Sequence, residues 1–151
     1  MIQVAIFLWQ YLDKNMTQVI IYTNSNGGVS VCTPTGEIPI NEVLDKDCPQ
    51  GAIIVDDSTL PQGADAQFFN AWALSGSTVS VNFSKAQADY LTQYNNVALQ
   101  IAQKRQLNTL AGIPNTPDDI TFVANLNAGR ASIASATSTA QLIAVQMPTS
   151  E

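Results

Sequence analysis

Residues 65–94, DAQFFNAWALSGSTVSVNFSKAQADYLTQY, change their hydrophobic period partway along. Up to Phe83 apolar and polar residues alternate with a period of two, and beyond Ser84 the apolar positions recur at helical spacing. Phe68, Phe69 and Trp72 place three aromatic rings within five positions. Ser75-Gly76 then separates a short apolar run from Thr78 to Phe83, a hairpin signal because glycine adopts the positive φ that a tight turn requires. Ser84-Lys85-Ala86-Gln87 comes next in the form of a capping box, with the serine hydroxyl as cap acceptor and the glutamine reaching back to the cap amide. Strand therefore runs straight into helix. The chain before this stretch reads as strand and turn, and the chain after it reads as helix.

Towards the N-terminus, Ala52–Val55 is a short apolar run that reads as a central strand, continued by a polar turn from Asp56 to Gly63. Gln18–Tyr22 and Val29–Thr33 are rich in β-branched residues and flank Asn24-Ser25-Asn26-Gly27-Gly28, which reads as the first hairpin. Between them and the central strand, Pro34, Gly36 and Pro39 form a loop, and Asn41 is placed to cap a helix of about two turns that ends before Pro49 and Gly51. With Ala71–Leu74 and Thr78–Asn82 as a second hairpin, the expectation is one small, mostly antiparallel sheet of about five strands. Met1 to Tyr11, MIQVAIFLWQY, is apolar and uncharged but falls short of the roughly 20 residues that span a bilayer. Met16 reads as a natural start, which makes residues 1–15 an upstream extension. The alternative is an apolar arm that docks on a neighbouring subunit through Phe7, Leu8, Trp9 and Tyr11.

Towards the C-terminus, Leu91, Tyr94, Ala98, Ile101 and Ala102 form one apolar stripe, and Gly112 with Pro114 stops the helix. Thr116-Pro117-Asp118-Asp119 restarts it, with threonine as cap, proline in the first turn and carboxylates where the helix dipole favours negative charge. That second helix is expected to bury Ile120, Val123, Ala124 and Ala131, to be weakened by Gly129 and to fade near Ala134. A third, short helix is capped by Ser138 with Gln141 three residues on, and stops before Pro148. The fold class expected is α+β: an apolar extension or arm at 1–15, a β-rich domain at 16–83, and at 84–151 a helical hairpin with a short terminal helix. Tyr90 and Tyr94, one turn apart, are expected to meet Phe68, Phe69 and Trp72, of which Phe69 and Trp72 read as core.

Composition narrows the function classes. Charged residues make up 12% of the 151, about half the usual share, and Asn, Gln, Ser and Thr carry the polar balance. The net charge is −6 and the six basic residues are dispersed apart from Lys104-Arg105, which disfavours nucleic acid as a partner, since phosphates demand clustered cations. There is no histidine, the commonest general base and metal ligand. Cys32 and Cys48 have no metal-binding spacing and read as two buried thiols, with a disulfide as the alternative. Three carboxylate groupings, Asp45 with Asp47, Asp56 with Asp57, and Asp118 with Asp119, invite a metal or acid–base reading. Helix and turn chemistry accounts for the first and third. Asp56 and Asp57 come after a strand, where adjacent side chains point to opposite faces. No catalytic, cofactor-binding or metal residues are therefore assigned, and no cofactor is expected.

Val19-Ile20-Ile21-Tyr22, Gly28-Val29-Ser30-Val31, Ile53-Ile54-Val55-Asp56, Leu60-Pro61, Phe69-Asn70-Ala71-Trp72, Val79-Ser80-Val81-Asn82 and Lys85-Ala86, in that order, resemble a group of small proteins encoded near tail or tail-fibre genes in tailed-bacteriophage genomes. The close, from Ile133 through Gln141-Leu142 to Pro148, is similar to the end of those proteins. The resemblance covers residues 17–148. The chain departs from the group in its sparsely charged first helix and in Gln146-Met147-Pro148. The resemblance implies a non-enzymatic bacteriophage protein, a minor virion or tail component or a tail-fibre assembly factor, found in the virion or the infected host cytoplasm. The partners it implies are other phage structural or tail proteins, with homo-oligomerisation as an alternative and no membrane span. A second functional class is a small regulatory or host-takeover binding protein that is absent from the virion.

Overall fold

The computed structural model describes residues 18–149. The proposed arm residues Phe7, Leu8, Trp9 and Tyr11 lie outside the described residues. The fold is α+β, and the chain divides at Asn82–Phe83 into two compact units.

In the first unit, strand β1 (Gln18–Thr23) pairs antiparallel with β2 (Val29–Cys32) on one side and with β3 (Ile53–Asp56) on the other. The middle strand is thus β1, and Ala52–Val55, expected to be central, supplies an edge. The β1–β2 loop closes on Asn24, whose Oδ1 accepts the amides of Asn26 (3.0 Å) and Gly28 (3.1 Å), while Gly27 takes a φ of 75°. Strands β4 (Trp72–Ser75) and β5 (Thr78–Val81) form a second, two-stranded sheet rather than completing the first. Gly76 at φ 60° succeeded by Ser77 with negative φ is the type II′ pattern, whose twist suits a two-residue hairpin.

The two sheets share one core. Val19 and Ile21 of β1, Val29 of β2, Trp72 of β4 and Val79 of β5 are buried together, with Val31, Ile53, Val55, Leu74 and Val81 packed at the margin. Strand alternation puts Ile20 on the opposite face with its cross-strand partners Cys32 and Ile54, and Ile20 is nonetheless fully buried. Helix α1 (Ile40–Asp47) packs on β1 and β3 and has Val43 as its buried residue, so it covers this second face. Its N-cap is Pro39, without a side-chain cap bond, and not Asn41, which lies inside the first turn. A 3-10 segment over Asp65–Ala71 leads into β4. It carries Phe69 outward, 45% exposed, although the ring still lies 4.9 Å from that of Trp72. Only Trp72 of that pair is core, and its indole nitrogen donates to the Asp65 carbonyl at 3.0 Å.

The second unit is a helical hairpin with a short third helix: α2 (Phe83–Leu110), α3 (Asp119–Ser135) and α4 (Thr139–Ala144). Helix α2 starts one residue before Ser84, and Gln87 does not turn back to a cap. Its Nε2 instead donates to the carbonyls of Ile133 (2.8 Å) and Ala134 (3.2 Å), satisfying acceptors at the far end of α3. The α2 terminus is a Schellman motif: Ile113 N donates to Asn108 O, Gly112 N to Thr109 O, and Gly112 adopts φ 70°. Helix α3 is capped by Asp118 and not by Thr116, and Pro117 precedes the helix. Ser138 caps α4 as its sequence indicates, and Gln141 Oε1 accepts the Thr137 amide at 2.7 Å.

Replacing Trp72 by alanine removes the largest side chain of the shared core and its bond to Asp65. We expect a loss of about 3–5 kcal/mol, read from urea unfolding monitored by far-ultraviolet dichroism.

Candidate functional site

The helical unit has few large side chains with which to build a core, and its apolar stripe differs from the one read along the chain. Helix α2 buries Ala86, Tyr94, Ala98 and Arg105, while Ala102 is exposed. Helix α3 buries Phe122, Leu126 and Ile133. Ile120, Val123, Ala124 and Ala131, the expected core positions, are all exposed, Ile120 at 85%. Both choices are compatible with helical spacing, and the docking of α3 on α2 selects Phe122 and Leu126.

Tyr94 is the residue on which that docking turns. It is buried, and its hydroxyl lies 3.5 Å from the Leu126 carbonyl oxygen. A methyl group added at Gly129 would overlap the Tyr94 hydroxyl and ring. Gly129 is therefore the notch that admits the hydroxyl end of the Tyr94 ring against α3, and its cost in helix propensity is offset by close packing. Tyr90 hydrogen-bonds the Val145 carbonyl at 2.7 Å, and burial pushes its phenol above the ordinary range. Both tyrosines serve the contacts of α2 with α3 and with the segment after α4.

Arg105 was not legible as a buried residue. It is 6% exposed, with its guanidinium 4.4 Å above the Phe122 ring and its Nη2 bonded to Asp119 Oδ1 at 2.8 Å and to the Pro117 carbonyl. Asn115 ties the same corner, donating to Arg105 O and Thr109 Oγ1 at 3.2 Å each. A cation in this position is tolerated because it is paired, stacked and bonded to backbone. Asp119 is largely exposed, so its partial solvation leaves the pair a modest stabiliser.

Two hollows flank α3. One is a cleft of about 670 Å³ between α3 and the C-terminal stretch, floored by Tyr94 and Gly129 and lined by neutral polar groups such as Asn125, Ser132, Gln141 and Gln146. The other is a groove of about 430 Å³ between α2 and α3, lined by Ala102, Leu110, Phe122, Val123 and Leu126, with Arg105 and Asp119 beside it. Leu110 and Val123, both exposed, line this groove. Leu99, Leu107, Leu110, Ile113, Ile120 and Val123 are six of the nine exposed large apolar residues among those described, and all fall between residues 99 and 123.

The carboxylate pairs serve local structure. Asp56 Oδ1 accepts the Ser58 amide at 2.8 Å, and hydrogen bonds from Ser58 hold its carboxyl below the usual range. Asp118 accepts from Thr121 and Ile120 at the head of α3, and the Thr121 bonds lower its pKa in the same way. Asp45 and Asp47 lie on α1. Among the described residues no three His, Cys, Asp or Glu side chains come together as a metal site, and no helix is long and apolar enough to cross a membrane. Comparison with protein-family models, with curated proteins and with solved structures finds no match to this chain.

Gly129→Ala should destabilise the helical unit by about 1–3 kcal/mol in urea unfolding, against the stabilisation that helix propensity alone would give. Asp118 has a folded pKa below its unfolded value, so its charge stabilises the fold above the unfolded value and that contribution disappears as pH falls through the folded pKa. Asp118→Asn keeps the cap acceptor without the charge. Its urea midpoint should fall below that of the parent at pH 7 and meet it under strongly acidic conditions.

Proposed function

We propose that this chain is a non-enzymatic bacteriophage protein, a minor tail or virion component or a tail-fibre assembly factor, that works by protein contact through the tip of its helical hairpin. The phage context rests on the sequence resemblance across residues 17–148. The observation that carries the contact reading is the concentration of exposed leucine, isoleucine and valine between Leu99 and Val123, of which Leu110 and Val123 line the α2–α3 groove. Apolar surface in this concentration, on a protein with so few charges, favours burial against a partner. Charge distribution supports the same surface. Residues 83–151 hold Lys85, Lys104, Arg105 and Arg130 against Asp89, Asp118, Asp119 and Glu151, so this half is formally neutral and the whole −6 resides in residues 1–82. A neutral apolar tip accepts partners of either charge without long-range repulsion.

Affinity capture from infected cells should recover a tail or fibre protein with the parent chain, and purified particles should contain the chain if it is a virion component. The double variant Leu110→Asp, Val123→Asp should reduce capture by at least about tenfold while leaving helix content unchanged. A chain absent from particles that captures only host proteins supports the regulatory class instead.

A further inference from the structure

The outward face of α2 carries a pattern that the helical hairpin itself leaves unused. Leu99, Gln103, Gln106 and Leu110 are all exposed, and at about 100° per residue they fall within an arc of about 60°. Their spacing of four, three and four residues is that of a coiled-coil seam. The arc holds no charge. Arg105 is turned into the hairpin against Asp119 and Phe122, and Lys104 lies about 100° around the helix from the nearest of the four. Elsewhere on α2 the amides of Gln87, Asn95 and Asn108 bond to other segments of the unit. Those of Gln103 and Gln106 make no side-chain hydrogen bond among the described residues, which leaves them available to a partner.

We propose that this face binds a second copy of the chain, α2 against α2, as an antiparallel twofold dimer. The inference rests on the reading of the helical hairpin as a protein-contact surface and names its partner. The stripe is self-complementary: Leu99 and Leu110 are equidistant from a point between Lys104 and Arg105, and so are Gln103 and Gln106. A twofold axis through that point sets Leu99 of each copy against Leu110 of the other, and Gln103 against Gln106. The leucine pairs withdraw side chains that are 59% and 79% exposed, and the amide pairs exchange hydrogen bonds. The groove lined by Ala102, Leu110 and Val123 opens beside Leu110 and receives Leu99 of the second copy. An uncharged face also meets its own copy without repulsion, where most surfaces repel themselves. The seam runs for roughly 16 Å of helix, so the interface belongs with small, weakly associating ones.

Sedimentation equilibrium of the purified full chain should show monomer and dimer in exchange, with a Kd on the order of 10 μM. Leu99→Asp should weaken the dimer by at least about thirtyfold, because the substitution enters a twofold interface twice, and should leave the far-ultraviolet dichroism unchanged. Two further variants alter only exposed glutamines, with residues that favour helix, and so keep the test independent of Leu99. Gln103→Glu with Gln106→Glu sets like charges opposite each other and should weaken association by about tenfold or more. Gln103→Glu with Gln106→Lys brings unlike charges together only in the antiparallel pairing, and should associate at least as tightly as the parent. A parent chain that stays monomeric up to about 300 μM, a dimer that Leu99→Asp leaves intact, or a Glu/Lys pair that weakens it as much as the Glu/Glu pair would each overturn the proposal. A monomeric chain that still captures a tail or fibre protein overturns the dimer alone. A dimer with the expected response to the variants that captures no such protein upholds this inference and overturns the phage reading.

Discussion

The seat of Tyr94 against Gly129 is the contact on which the helical half depends. Helix α2 is 28 residues long but buries only one large aromatic ring, so α3 must approach closely for burial to be effective. Glycine at position 129 permits that approach, and Ala98, beside the ring on the same α2 face, adds no bulk to oppose it. Dispersion rises steeply with proximity, so a lean core can be a tight one. The consequence is that Phe122, Leu126 and Ile133 turn inward and leave Ile120 and Val123 outside.

Polar contacts complete what apolar area does not. Gln87, Tyr90, Asn95 and Arg105 project from α2 to carbonyls or side chains of the facing segments, including the 2.8 Å bond from Arg130 Nε to Asn95 Oδ1. Each such bond contributes on the order of 1 kcal/mol net, but each also fixes register, since a shift along the helix would leave a buried group unpaired. The antiparallel hairpin is thereby specified by amides and a guanidinium as much as by hydrophobic pattern. This arrangement makes use of a sequence rich in Asn and Gln and poor in charge.

The first half meets a different constraint. Strand β1 is buried on both faces, so Val19 and Ile21 answer to the second sheet while Ile20 answers to α1. A strand of continuous β-branched residues suits a middle position better than an alternating one does. Ala52–Val55 carries a similar apolar run, but among the described residues it pairs on one side only. Four apolar residues in a row do not distinguish these settings, which is why the order of strands was not legible.

Element types and their local punctuation were readable from the chain alone: two hairpins, the Gly112 stop, the Ser138 cap, and the change from strand to helix near residue 83. These are decided by neighbours within a few positions, through turn geometry and capping, and long-range packing left them intact. Packing between distant segments settled the rest: which face of α3 is buried, that Arg105 lies inward over Phe122, that Gln87 reaches across the hairpin, and that the strands form two sheets. The candidate site divides in the same way. Of its residues, Ile120 and Val123 were read along the chain as core, and their exposure was not legible because it depends on how closely Gly129 lets one helix approach the other.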